Sequence, residues 1–295
     1  MTQETIKTDQ ALEALVERIR KGQCVLFLGA GINIQSTHPK FDYPEEHRPL
    51  QAGRLANELI TATQYKEILP DASDDDLPKA ALFVETTFGR HHLINALKKH
   101  LGEGKRPSHA LRMLACMPFS VYITTNYDDL LEQALAFAQK KPNKLVYDPV
   151  FDHRTPFVQE GTPENPLVFK MHGDLDQPAS IVITDDDYIN FIQKMSQHDQ
   201  FYPVPLLLRA KLAQWPTLFI GYRLQDYNLR LLFRTLRWRL DAAEVLMSYS
   251  VDLKPDPLIL SVWQDKHQII SFFKYDLWHF IPWLYERVCG KDYQP

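Results

Sequence analysis

The sequence predicts an α/β fold: a Rossmann-like, doubly wound parallel sheet with an inserted, mainly helical module. Three observations predict it. Five short runs are apolar on both faces: "CVLFL" (24–28), "SVYITT" (120–125), "LVFKM" (167–171), "SIVIT" (180–184) and "TLFIG" (217–221). Strands covered by helices on both sides have this character. Three of the runs lead into helical periodicity, in "YDDLLEQALAFAQK", "DDYINFIQKM" and "QDYNLRLLFRTLRWRL". Between the first and second runs, residues 50–116 carry helical patterns and no strand pattern. We expect one domain over residues 1–295, with 36–116 as the insertion.

Bulk properties narrow the function classes. A chain of 295 residues can bury a sizeable core. Its 45% hydrophobic and 24% charged residues exclude a disordered chain. A net charge of -4 gives no basic field for nucleic acid. No apolar run reaches the length of a membrane span. Cys24, Cys116 and Cys289 are far apart, and no pair has the spacing of a zinc knuckle or ribbon. They fit buried thiols in a reducing cytoplasm. His91 and His92 are adjacent and point to different faces of a helix, so no metal site is expected there.

Taken in order, the elements read as follows. Residues 8–22 form a helix with Leu12, Leu15, Val16 and Ile19 on one side. The start of the chain is thus a charged amphipathic helix rather than a signal peptide. Residues 36–49, with Pro39, Pro44 and Pro49, read as a loop. The acidic "DASDDD" (71–76) is a solvated connection within the helical stretch. In "ITTNYDDLLEQAL", Asn126 suits an N-cap, and Asp128 and Asp129 suit the first turn of the helix. Residues 140–166 read as an irregular excursion. Late strands at "VLMSYSV" (245–251) and "PLILSV" (257–262), then a final helix at "DLWHFIPWLYERVC" (276–289), complete the chain.

Ligands of such sheets lie beyond the carboxyl ends of the strands, so four strand ends matter. The first is Gly29-Ala30-Gly31, with no acidic residue before His38. Glycines let backbone N–H groups approach a phosphate closely. Ile34 stands where a dinucleotide fingerprint has its third glycine, Pro49, Leu50 and Gln51 lie where its acid would fall, and no Gly-Lys-Ser/Thr follows. Alone, the turn fits a phosphate cradle and plain strand-to-helix packing equally. The second end carries Asn126 and Asp128, whose carboxylate neighbourhood suits an uncharged or cationic part of a ligand. The third is His172-Gly173; its imidazole fits a structural role or proton transfer in a cleft. The fourth is Gly221-Tyr222, with Asp226 as a cap for the next helix. Tyr222 fits a ribose or base contact, or packing against the insertion.

In order, the Gly-Ala-Gly, the Thr124–Asp128 stretch "TTNYD", the His-Gly and the Gly221–Asn228 stretch "GYRLQDYN" resemble the sirtuin superfamily, in its divergent bacterial branch of sirtuin-like NAD hydrolases of anti-phage defence. The likeness covers roughly residues 20–240. Asn33 and Arg223 stand where those sequences usually carry Ser. The Gly-x-Pro-Asp-Phe-Arg segment and the four-cysteine zinc module of protein deacetylases are absent.

The resemblance implies NAD as substrate, with no zinc, and cleavage to nicotinamide and ADP-ribose. It implies that Gly29, Ala30 and Gly31 hold the phosphates through backbone N–H groups. Asn126 would bind a ribose hydroxyl or the attacking water, and Asp128 would face the nicotinamide amide. His172 would be the general base, and Gly221 and Tyr222 would border the adenosine half. It further implies a cytoplasmic, homo-oligomeric, NAD-depleting effector, in some relatives working with a separate sensor or ATPase subunit. A non-catalytic NAD or ADP-ribose sensor is the alternative, followed by a protein deacylase or ADP-ribosyltransferase. "RLLFRTLRWRL", with Arg230, Arg234 and Arg237 on one face, and "DLWHFIPWLYERV" are two stretches for an interface; a solvated face and core packing are the plainer readings. Those arginines in an acidic chain argue against direct nucleic-acid binding.

Overall fold

The computed structural model describes residues 10–61, 63–149, 158–196, 204–222, 224, 247–263 and 270–294. Among these residues, seven strands form one sheet: β1 (Val25–Leu28), β2 (Val121–Thr124), β3 (Asn143–Val146), β4 (Leu167–Lys170), β5 (Thr217–Ile220), β6 (Ser248–Val251) and β7 (Ile270–Phe273). Their order is β3-β4-β2-β1-β5-β6-β7, and every pairing is parallel. The chain leaves β1 toward β2, β4 and β3, then returns to β5 on the other side. The switch of direction therefore falls between β1 and β5, where such sheets open a ligand crevice.

The described α-helices are α1 (Gln10–Arg20), α2 (Ala52–Ile60), α3 (Tyr65–Ile68), α4 (Leu77–Phe88), α5 (Arg90–Leu101), α6 (His109–Cys116), α7 (Leu130–Phe137), α8 (Asp185–Ser196), α9 (Leu206–Gln214), α10 (Pro257–Trp263) and α11 (Leu277–Cys289). On one face of the sheet, α1, α6, α7 and α11 bury Leu15, Leu114, Leu135 and Ile281 against Leu26, Tyr122 and Val168. On the other, Phe191 of α8, Leu208 of α9 and Trp263 of α10 cover Phe27, Ile123, Phe169 and Phe219. Both faces of the central strands are thus dry, which accounts for their continuous apolar runs. Three helices of the insertion, α2, α4 and α5, share a separate cluster that reaches Tyr127, Leu175, Ile181 and Ile183 beside the strand ends. The last, α6, belongs to the sheet layer, as do Phe41 and Tyr43.

Local signals set the boundaries. Ser108 accepts from the Leu111 N–H at 3.0 Å and starts α6. Asp276 accepts from the Trp278 N–H at 2.9 Å and starts α11, which Gly290 closes in the left-handed conformation.

Three sequence expectations are corrected. "SIVIT" is not a strand: Ser180 ends a 3-10 turn and, among the described residues, no strand pairs with 181–184. Val182 packs into the sheet-face core while Ile181 and Ile183 pack into the insertion's core. The run alternates between two cores and so imitates a strand. "PLILSV" is helix α10 rather than a strand. Asp256 accepts from the Leu258 N–H at 2.8 Å, Pro257 occupies the first helical position, and Ile259 and Trp263 are buried four residues apart. Inside the supposed excursion at 140–166, Asn143–Val146 is the edge strand β3. The helix expected over "QDYNLRLLFRTLRWRL", the cap Asp226, the arginine face and Arg223 lie outside the described residues.

Gly221 is the tightest backbone position at the switch point. Its φ is +68°, and a Cβ there would lie 2.2 Å from the Ile32 nitrogen. Gly221→Ala should lower stability by roughly 2 kcal/mol or more, through strain plus steric overlap. Gly290, in the left-handed conformation at φ +68°, has nothing within 4 Å of its would-be Cβ. Gly290→Ala should cost only about 1 kcal/mol. Urea unfolding midpoints check the difference; equal losses would contradict it.

Candidate active site

Register brings the site together. Leu28 is abreast of Thr124 and Ile220, and Thr124 is abreast of Lys170. The residues that follow each of these strands therefore emerge at one edge. Across β1 and β5 the two loops interlock. The Gly29 N–H donates to the Ile220 carbonyl at 3.0 Å and the Gly31 N–H to the Gly221 carbonyl at 2.9 Å. A Cβ on Gly29 would stand 2.5 Å from the Gly221 oxygen and from Tyr222 Cδ2. The two glycines thus serve close packing, and their N–H groups are committed to the carbonyls of Ile220 and Gly221. Of the three N–H groups assigned to phosphates by resemblance, that of Ala30 is left, and Ala30 is exposed.

Two adjoining cavities open at this edge. The narrower, about 150 Å³, is lined by Ala30, Asn33, Asn126, Asp128, His172, Tyr188 and Tyr222, with an apolar wall of Pro49, Leu50, Leu55, Leu77 and Leu101 from the insertion. The wider, about 670 Å³, is lined by Ala30, Gly31, Gln51, Gly221, Tyr222, Asp252, Tyr275 and Asp276 among others. Ala30, Ala52, Thr125 and Tyr222 border both. Of the eight residues to which the resemblance assigns a role toward NAD, all except Gly29 therefore line one cavity or both. Gly29 sits beneath the turn.

Asn126 is not the cap of α7. The helix begins at Leu130, whose N–H donates to Asp128 Oδ1 at 3.1 Å. Asn126 lies before it, with its N–H donated to Thr124 Oγ1 at 3.0 Å. Thr124 Oγ1 in turn donates to the Leu28 carbonyl at 3.1 Å. Releasing the Asn126 amide from capping leaves it to the cavity.

His172 is 4% exposed. Tyr188 and Phe191 meet its ring edge-on, with centroids 5.4 and 5.6 Å away. Its carbonyl accepts from the Val182 N–H at 2.9 Å, so "SIVIT" braces the loop that carries it.

Asp128 is buried, and burial pushes its carboxyl up to about 6, against the pull of Lys170 and the Leu130 N–H. Lys170 is wholly buried. Its ammonium donates to the carbonyls of Tyr127, at 3.3 Å, and Asp128. It also lies 3.5 Å from Asp174 Oδ2 and 3.6 Å from Glu132 Oε1. Burial alone raises the Asp174 carboxyl, yet Lys170 and Lys144 together hold it below the usual carboxylate range. This charge group fixes the backbone of the Asn126–Asp128 loop from behind.

Sequence reasoning missed Asp252, Gln51 and Lys170. Asp252 follows β6 and lines the wider cavity; its place at the end of the apolar "VLMSYSV" was the available signal. Gln51 reaches from the start of α2 to donate to the Ala30 carbonyl at 3.1 Å. Among the described residues, no group of three or more His, Cys, Asp or Glu side chains could hold a metal ion. Among them too, no helix is long and apolar enough to cross a membrane.

A family model described as a SIR2-like domain matches residues 120–271, just over half of the chain. The sequence is 30% identical over 224 residues to NAD(+) hydrolase ThsA of Enterococcus faecium, covering 75% of this chain and 41% of that protein. It is 27% identical over 226 residues to NAD(+) hydrolase ThsA of Acinetobacter baumannii, covering 77% and 42%. It is 26% identical over 234 residues to Defense-associated sirtuin 2 of Bacillus subtilis, covering 77% and 20%. The chain thus spans about two fifths of the length of the first two relatives, and less of the third.

Asp128 makes stability depend on pH in a defined direction. Its folded carboxyl loses its proton near 6, not near the ordinary 3.8. The folded state therefore binds the extra proton between these values, and stability falls as pH rises through them. Asp128→Asn removes this dependence. The variant's stability minus the wild type's should grow by roughly 2 kcal/mol from pH 4 to pH 7. Urea unfolding at several pH values checks this; parallel profiles would contradict it.

Proposed function

The chain belongs to the SIR2-like domain family, and from that premise we propose that it is an NAD glycohydrolase. It cleaves NAD to nicotinamide and ADP-ribose. The convergence of Asn126, Asp128 and His172 on one cavity beside Ala30 carries this reading. The names of its relatives point the same way.

The chemistry follows from the residues. Nicotinamide leaves neutral from a cationic precursor, and the sugar passes through an oxocarbenium-like state, as in glycoside cleavage. The pyridine end lies in the narrower cavity and the adenosine half in the wider one. There Gly221 and Tyr222 border it and Asp252 is within the same wall. The Ala30 N–H is the turn's donor toward the phosphates. The Asn126 amide, both donor and acceptor, orients a ribose hydroxyl or the incoming water. His172 accepts the proton released as that oxygen attacks. Asp128, ionised near neutral pH, accepts from the amide of the nicotinamide. Water is the acceptor of the ADP-ribosyl group.

In this reading the protein is a cytoplasmic, homo-oligomeric effector that depletes NAD in defence against phage, held silent until triggered. A sensor or ATPase subunit is a candidate trigger.

Nicotinamide release from NAD by the purified protein tests the chemistry. His172→Ala and Asn126→Ala should each lower the rate by roughly 10²-fold or more. Undiminished turnover in both variants would overturn the assignment.

A further inference from the structure

Asn33 is an unused group inside the site. It ends the 3-10 turn Ala30–Asn33 and is 1% exposed. Neither its Nδ2 nor its Oδ1 has a hydrogen-bond partner among the described residues. Buried amides are almost always satisfied, so an orphaned one calls for an explanation. Packing does not supply it. The turn is held without the side chain, by the Ile32 N–H on the Gly29 carbonyl at 3.2 Å and by Ser108 Oγ on the Ile32 carbonyl at 3.3 Å.

The surroundings define what would satisfy it. Asn33 lines the narrower cavity with Asp128, facing an apolar wall that includes Leu50 and Leu55. A ligand group there must offer Asn33 both a donor and an acceptor. A phosphate offers acceptors alone. A primary carboxamide on a flat ring offers two N–H donors and one carbonyl. One N–H serves the Asp128 carboxylate, the other serves Asn33 Oδ1, and the carbonyl serves Asn33 Nδ2. The ring meets the apolar wall. Replacing that carboxamide by a carboxylate removes both donors and sets a second negative charge beside Asp128.

We infer that Asn33 is a specificity-determining residue that, with Asp128, reads the carboxamide of the pyridine ring and rejects the corresponding carboxylate. The inference rests on the proposed NAD reading and deepens it. A serine in this position would carry its donor and its acceptor on one oxygen, whereas the asparagine amide carries them on two separate atoms.

Calorimetric affinities for NAD, nicotinic acid adenine dinucleotide and ADP-ribose test it, measured in the His172→Ala background to prevent turnover. With Asn33 present, NAD should bind at least tenfold more tightly than its carboxylate analogue. Adding Asn33→Ala should weaken NAD at least tenfold, leave ADP-ribose within twofold, and shrink the preference. The comparison of the two dinucleotides needs no change at Asn33, so it stands even where Asn33→Ala fails to fold. Equal affinity for NAD and its carboxylate analogue would overturn the inference while the NAD reading stands. So would an equal loss for NAD and ADP-ribose in Asn33→Ala, which would make Asn33 a structural or phosphate contact. Failure of the His172→Ala protein, with Asn33 present, to bind either NAD or ADP-ribose would overturn both.

Discussion

The close approach of the Gly29–Gly31 turn to Gly221 is the constraint on which the site depends. Two backbone hydrogen bonds cross it, and no side chain fits between the loops. It lies at the switch point of the sheet, where β1 and β5 send their loops to opposite sides. Because those loops are locked together, Ala30 and Tyr222 border both cavities rather than one. The glycines thereby set the two cavities side by side through packing, with their own N–H groups spent on the carbonyls of Ile220 and Gly221.

A second device acts on the facing side. Lys170 is buried at the end of β4 and donates to two carbonyls of the loop that carries Asn126 and Asp128. A buried ammonium is costly unless it is paired and hydrogen-bonded. Asp174 and Glu132 lie near enough to offset the charge. The same ammonium lowers the Asp128 carboxyl without cancelling the effect of burial, so that group titrates close to neutral pH. Backbone position and side-chain charge are therefore set by one residue.

The sheet's central strands were readable because burial on both faces leaves uninterrupted apolar runs. β3 was not, since "NKLV" is a half-exposed edge with only two apolar residues. "SIVIT" misled because its apolar residues are shared between two cores rather than two faces of a strand. In "PLILSV" the Asp256-Pro257 pair was a helix start that the apolar run obscured. Strand-end residues Asn126, Asp128 and His172 were readable as candidates from position alone. The roles of the glycines, the orphaned amide of Asn33 and the support from Lys170 were not. Each depends on which atoms meet across elements distant in sequence, and composition carries no trace of that.

The central claim is spatial: one dinucleotide lies across both cavities, with its pyridine end beside His172. A crystal structure of the His172→Ala variant with NAD tests it most directly. The account predicts the pyridine ring against the Leu50–Leu55 wall, the phosphates by Ala30, and the adenosine near Asp252. A nucleotide bound in the reverse direction, or one that leaves the narrower cavity empty, would contradict it.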